Sequence, residues 1–228
     1  MTGKHILYGG IPSQSVVVEM LLAEAEIPYE LRRVDITKQE NQAQEFLRLN
    51  PAGFVPALMT PEGEMLHENA AILVYLCERF ELDQFMPPSG DPARAMFWSK
   101  LFYHTNDIVV PTKRYFYPAR FSTSESHVDA VRTAARDMAL DRWQILEEYL
   151  SDHGPYHLGD RLSVVDLHMA VWVVYGLDTA DQIMKQFPSV NRAYMMVRER
   201  PLSGRLLGEL QTAMGHWRDT LGLDTVGT

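Results

Sequence analysis

Two short segments carry groups suited to holding a small ligand by backbone chemistry. In Phe54-Val55-Pro56-Ala57-Leu58 a Val-Pro bond lies between a turn and an apolar strand. A cis bond there costs little, and it turns the Val55 N–H and C=O away from the strand's own ladder. Both groups are then free to pair with an extended peptide. Further on, Glu68-Asn69-Ala70-Ala71-Ile72 opens a helical pattern. A helix start presents unpaired N–H groups and the positive end of the dipole to a carboxylate. A ligand with a peptide backbone and a terminal carboxylate satisfies both segments.

Glutathione is such a ligand. The arrangement resembles the glutathione-binding half of cytosolic glutathione transferases, where a Val-Pro-Ala-Leu turn precedes a Glu-Ser pair at a helix start. Here the pair is Glu68-Asn69, with an amide where the family has a hydroxyl. A second motif extends the resemblance. Gly159-Asp160 followed by Leu162-Ser163-Val164-Val165-Asp166-Leu167 is similar to the Gly-Asp-x-x-Ser/Thr-x-x-Asp signature of the family's helical domain. Ser163 as N-cap, Asp166 at the third helical position and the flanking Leu162 and Leu167 form a capping box with a hydrophobic staple, whose role is structural.

The resemblance implies a thiolate. A thiol of ordinary pKa, about 8.5, is mostly protonated at neutral pH, so the site must stabilise the anion. A hydroxyl at the start of the first helix adds a hydrogen bond to the dipole there. The relevant segment is Leu7-Tyr8-Gly9-Gly10-Ile11-Pro12-Ser13-Gln14-Ser15. The serine of theta- and zeta-like members falls on Gly10, and the cysteine of omega- and beta-like members on or beside Ile11. The chain therefore resembles a bacterial-type, Nu/theta/beta-like member without the usual Ser or Cys.

Ser13, near where Nu-like members carry a functional Asn, is the preferred thiolate partner, with helix N-cap as its alternative role. Ser15 (otherwise a cap or solvent-facing residue) and Tyr8 (otherwise a core or strand-end residue) are the alternatives for the sulfur. Cys77 lies mid-helix on an apolar stripe and reads as packing. The resemblance further places Val55, Pro56, Glu68, Asn69, Lys38 and Asn41 around glutathione, the last two at the glycyl carboxylate. It places Ile11, Tyr103 and Tyr115 in the hydrophobic-substrate pocket. The last two belong to an aromatic-rich stretch from Phe97 to Tyr117, broken at Val110-Pro111 and interleaved with Lys113 and Arg114.

These groups need a scaffold. His5 to Tyr8 reads as a strand, and Val16, Val17, Met20 and Leu21 recur at helical spacing after it. Tyr29 to Val34 reads as a second strand, Ala43 to Leu49 as a short helix, Ala57 to Leu66 as a hairpin turning at Pro61-Glu62-Gly63, and Ile72, Leu76 and Phe80 as the stripe of the helix from Glu68. This βαβαββα order is that of a thioredoxin-like domain. Met86-Pro87-Pro88-Ser89-Gly90-Asp91-Pro92 interrupts every periodicity. Domains are thus expected over 1–85, for glutathione, and 92–228, all helical, in an α+β chain. Helices are expected over Ala93 to Tyr103, Ser124 to Leu150, Ser163 to Leu177, Ser189 to Arg198 and Leu202 to Trp217.

With 228 residues, 46% of them hydrophobic, the chain can bury a sizeable core. A formal net charge of −9 disfavours nucleic acid and anionic membrane as partners. The lone cysteine permits no internal disulfide, which fits a cytoplasmic setting, and no segment reads as a signal or a membrane span. The eight histidines are scattered and no HExxH or glycine-rich phosphate loop occurs, so no metal is expected. The expected activity is conjugation of glutathione, as co-substrate, to a small hydrophobic electrophile by a detoxifying homodimer. The alternatives are a glutathione-dependent disulfide reductase or peroxidase, and a non-catalytic glutathione- or ligand-binding protein.

Overall fold

The computed structural model describes residues 4–176 and 185–220. Among these, residues 4–86 and 197–220 form one compact unit, and 87–176 with 185–196 a second.

The first unit is built on a four-stranded sheet of order β2-β1-β3-β4. Strand β1 (His5–Gly9) leads through helix α1 (Val16–Glu24) to β2 (Tyr29–Arg33), and the crossover makes β1 and β2 parallel, with Gly9 beside Arg33. Helix α2 (Gln44–Leu49) precedes the hairpin of β3 (Ala57–Met59) and β4 (Met65–His67). Both hairpin pairings are antiparallel, with Tyr8 opposite Ala57 and Leu58 opposite Leu66. Helix α3 (Asn69–Arg79) follows. Side chains alternate across a strand. Tyr8 and Ala57 thus share one face, packed with Val34, Phe46 of α2 and Val55, while Leu7 and Leu58 serve the other. The expected βαβαββα order is the observed one.

In the second unit, α4 (Arg94–Tyr103) and α5 (Val109–Phe116) are separated by a π-helical turn over His104–Ile108. The sequence places a break at Val110-Pro111; the structure puts it one turn earlier. Pro111 has no N–H to give the carbonyl four residues back and its ring crowds that carbonyl, so the backbone opens upstream of the proline. Helix α6 (Val128–His153) buries Ala135, Ala139, Trp143, Leu146 and Leu150, one face at helical spacing. Residues 125–127, expected in this helix, form a 3-10 turn instead. Helix α7 (Val164–Tyr175) is buried on every side, and the expected end of this helix at Leu177 lies outside the described residues. Helix α8 (Pro188–Arg198) is capped from α6, where the Glu147 carboxylate accepts the N–H groups of Ser189 and Val190.

The start of α7 is the capping box read from the sequence. Asp166 Oδ2 accepts the Ser163 N–H at 2.8 Å and its hydroxyl at 2.9 Å. Asp166 Oδ1 is turned to the preceding loop, where it accepts the N–H of His157 at 2.9 Å and its Nδ1–H at 2.7 Å. His157 Nε2 lies 2.9 Å from His104 Nε2 in the π turn. His168 lies edge-on to His104, with 5.8 Å between ring centres. All four side chains are sealed from solvent. Burial, then His157, His168 and Lys100, push the His104 pKa well below the ordinary histidine value; burial, then Lys113 and His157, take His168 down to about 3.

The last helix, α9 (Pro201–Thr220), returns to the first unit and lies along α1. There Glu24 accepts hydrogen bonds from the N–H and hydroxyl of Ser203 and from Arg200. With α3 and α9 both against it, α1 buries every residue from Val16 to Leu22. No helix of the described residues is long and apolar enough to cross a membrane.

Candidate glutathione site

The loop between β1 and α1 explains why the usual serine is missing. Gly10 has φ of +131°, a conformation that side-chain-bearing residues rarely adopt. A Cβ on neighbouring Gly9 would collide with Ser15. The two glycines let Ser15 Oγ turn back to the strand end, where it accepts the Gly10 N–H at 2.8 Å. Ser15, not Ser13, is the N-cap residue of α1, and its side chain makes no cap bond. Of the two roles expected for Ser15, the cap position is the observed one, while the solvent-facing role is corrected, because the hydroxyl is fully buried.

Ser13 Oγ lies 2.7 Å from Ser15 Oγ and accepts the Ser15 N–H at 3.2 Å. A hydroxyl has one hydrogen to give. Either hydroxyl can donate across this pair, and Ser15 Oγ also lies 3.5 Å from the Gly10 carbonyl. With Ser15 as the donor of the pair, Ser13 has a hydrogen for a further acceptor and Ser15 is its support. The N–H groups of Ser13 and Gln14 have no partner among the described residues, and they add donors at the same helix start. Tyr8 lies in the sheet core, where its ring meets Phe46 and its hydroxyl accepts from Arg32 at 3.0 Å. It has the strand-core role that the sequence allowed as the alternative.

The Val55-Pro56 bond is cis, as the sequence suggests. The turn before it is fastened by side chains: Asn50 donates to the Phe54 carbonyl at 2.7 Å, and Asn41 and Gln42 donate to that of Gly53 at 2.7 and 3.1 Å. Asn41 thus braces the turn. Lys38 is exposed and paired with Asp35 at 3.0 Å, and Thr37 and Lys38 hold the Asp35 carboxyl down to about 2.

At the start of α3 the cap residue is Glu68, with φ of +68°, and Asn69 is the first helical residue. The Asn69 side chain does not cap the helix: its Nδ2 donates to the Gln14 carbonyl at 3.0 Å, while its Oδ1 is buried without a partner. The carboxylate-binding groups left at this end are backbone N–H groups ahead of the first intrahelical bond, from Ile72 to the Glu68 carbonyl. A non-glycine residue at positive φ costs on the order of 1–3 kcal/mol. Glu68→Gly should therefore raise stability by about 1 kcal/mol in urea unfolding, within that range, while weakening the ligand. Unchanged or lower stability would show that Glu68 is unstrained.

Gln14 joins the segments and was not singled out from the sequence. Its carbonyl takes Asn69, and its side-chain Nε2 donates to the Val55 carbonyl at 3.3 Å. The loop of Ser13 and Ser15, the cis-proline turn and the start of α3 are thereby brought together. Ile11 is half-buried in the same loop. Tyr103 and Tyr115 belong to the second unit. The Tyr103 hydroxyl donates to the Arg142 carbonyl at 2.7 Å, with its pKa pushed up by burial to about 12, and Arg132 lies over the Tyr115 ring.

Comparison with known proteins shows the family of the chain. Residues 13–79 match the glutathione S-transferase N-terminal domain and residues 107–202 the C-terminal domain. A glutathione S-transferase domain-containing protein of Dictyostelium discoideum is 27% identical over 179 residues, 75% of this chain and 67% of that one. Among solved structures, a glutathione transferase homologue from Sulfitobacter with bound glutathione superposes with TM-score 0.81 at 22% identity, over 90% of this chain and 98% of the other. The bacterial transferase BphK, solved as a ternary complex, gives 0.76 at 26% identity, over 92% and 99%. Matches to both domains, in order and across well over half of the sequence, make the chain a member of the glutathione S-transferase family.

Proposed function

We propose that the protein is a glutathione transferase that adds the glutathione thiolate to a small hydrophobic electrophile. The observation that carries this reading is the convergence of the Ser13–Ser15 pair, the Val55 turn and the α3 start through Gln14. Glutathione lies extended across them: its cysteinyl backbone pairs with Val55, its γ-glutamyl carboxylate meets the α3 N–H groups beside Glu68 and Asn69, and its sulfur accepts the Ser13 hydrogen. The glutathione bound to the Sulfitobacter homologue supports the choice of ligand. Domain limits of 1–85 and 92–228, a cytoplasmic homodimer and a detoxifying role, with Ile11, Tyr103 and Tyr115 at the electrophile, belong to the same proposal.

Loss of a charge-assisted hydrogen bond costs about 1.5–3 kcal/mol, or one to two pKa units. Ser13→Ala should raise the pKa of bound glutathione by that amount, read from thiolate absorbance against pH, and slow conjugation of an aromatic halide at neutral pH. Ser15→Ala should give a smaller shift, through Ser13. No shift in either variant would leave the N–H groups of Ser13 and Gln14 as the activating element. Turnover of a small disulfide without conjugation of the halide would select the reductase reading.

A further inference from the structure

Val55 offers a peptide ligand two groups, an N–H and a carbonyl, and in this structure the carbonyl is already engaged by the Gln14 side chain. A carboxamide N–H on a backbone carbonyl is the same interaction that a peptide N–H would make there. The Gln14 backbone is fixed, since Asn69 holds its carbonyl from α3 and Ser13 and Ser15 flank it in the buried hydroxyl pair. Its side chain is half-buried, and the bond to Val55 is its one hydrogen bond among the described residues. It can therefore swing away without disturbing the loop, because side-chain rotation is fast and local.

We propose that Gln14 is an internal stand-in for the ligand. Its carboxamide occupies the Val55 carbonyl in the free protein and gives way to the cysteinyl N–H of glutathione. Gln14 thereby sets the affinity and selects ligands that carry an amide N–H at this point. This rests on the glutathione reading. Binding exchanges one neutral hydrogen bond for another at the same carbonyl, so the ligand loses what the internal bond was contributing.

Removing the competitor should tighten binding. Gln14→Ala and Gln14→Leu, the second keeping bulk without the donor, should each lower the calorimetric Kd for glutathione three- to tenfold. An unchanged or higher Kd in both overturns the proposal, and tightening in alanine alone also overturns it, since that would report space rather than a bond. In the free protein, NMR scalar coupling across the hydrogen bond should link the Gln14 side-chain nitrogen to the Val55 carbonyl and vanish on saturation with glutathione. Its absence in the free protein, or persistence at saturation, overturns the proposal. Failure of the glutathione reading looks different: wild type and both variants bind no glutathione while the coupling is intact, which removes the ligand and the displacement together.

Discussion

Asp166→Ala is expected to destabilise the protein by about 3–5 kcal/mol, since each buried donor left without an acceptor costs roughly 1–3 kcal/mol. One carboxylate accepts four hydrogen bonds, two from Ser163 and two from His157. Alanine leaves those donors buried without an acceptor, and unmade bonds cost more than made ones contribute. Ser163→Ala keeps the backbone bonds and should cost about 1 kcal/mol, as N-cap losses do. The urea midpoints of the two variants measure the contrast. Equal effects would mean that the His157 side of the carboxylate contributes nothing.

Acid should weaken the fold well above the pH at which carboxylates titrate. A histidine whose folded pKa is depressed stays neutral in the native state while the unfolded chain takes up a proton, so its stabilisation is complete above about pH 6.5 and is lost as pH falls toward the folded pKa. For His168, folded at about 3, the loss by pH 5 is about 2 kcal/mol. His104 adds to it with the same sign, as does His5, whose pKa burial also lowers. Glu19, raised by burial, opposes them. Glu24 and Asp35, both held low, keep their full contribution above the ordinary carboxylate range and lose it only as pH falls through that range, so the interval above it belongs to histidine. The denaturant midpoint of wild type should fall between pH 7.5 and 5, and His168→Leu should flatten that slope. A wild-type midpoint constant over this interval would show that both buried rings accept protons in the native state.

Much of the framework was legible because it depends on neighbours in sequence. The strand-helix alternation, the hairpin around Gly63 and the Ser163–Asp166 box are local patterns, and each appears where its residues lie. The site was legible in outline only. Which hydroxyl faces the ligand depends on the φ of Gly10 and the missing Cβ of Gly9, which bring Ser15 back to the strand. Propensity cannot distinguish Ser13 from Ser15 without them. Asn69 has a cap residue's chemistry, yet it serves Gln14, a partner far away in sequence. The pairing of His104 with His157 is equally remote, and an isolated histidine carries no mark of it.

Helix α9 has a consequence for how the chain is made. Residues 4–86 carry all strands of their sheet, but α1 lacks the surface that covers its outer side until Pro201–Thr220 has been synthesised. Glu24, Arg200 and Ser203 cannot meet before then. This unit therefore completes its fold late although its strands are translated ahead of α9, since contacts this distant in sequence are slow to close. A nascent chain paused midway exposes an apolar helix, which is the kind of surface that chaperones hold.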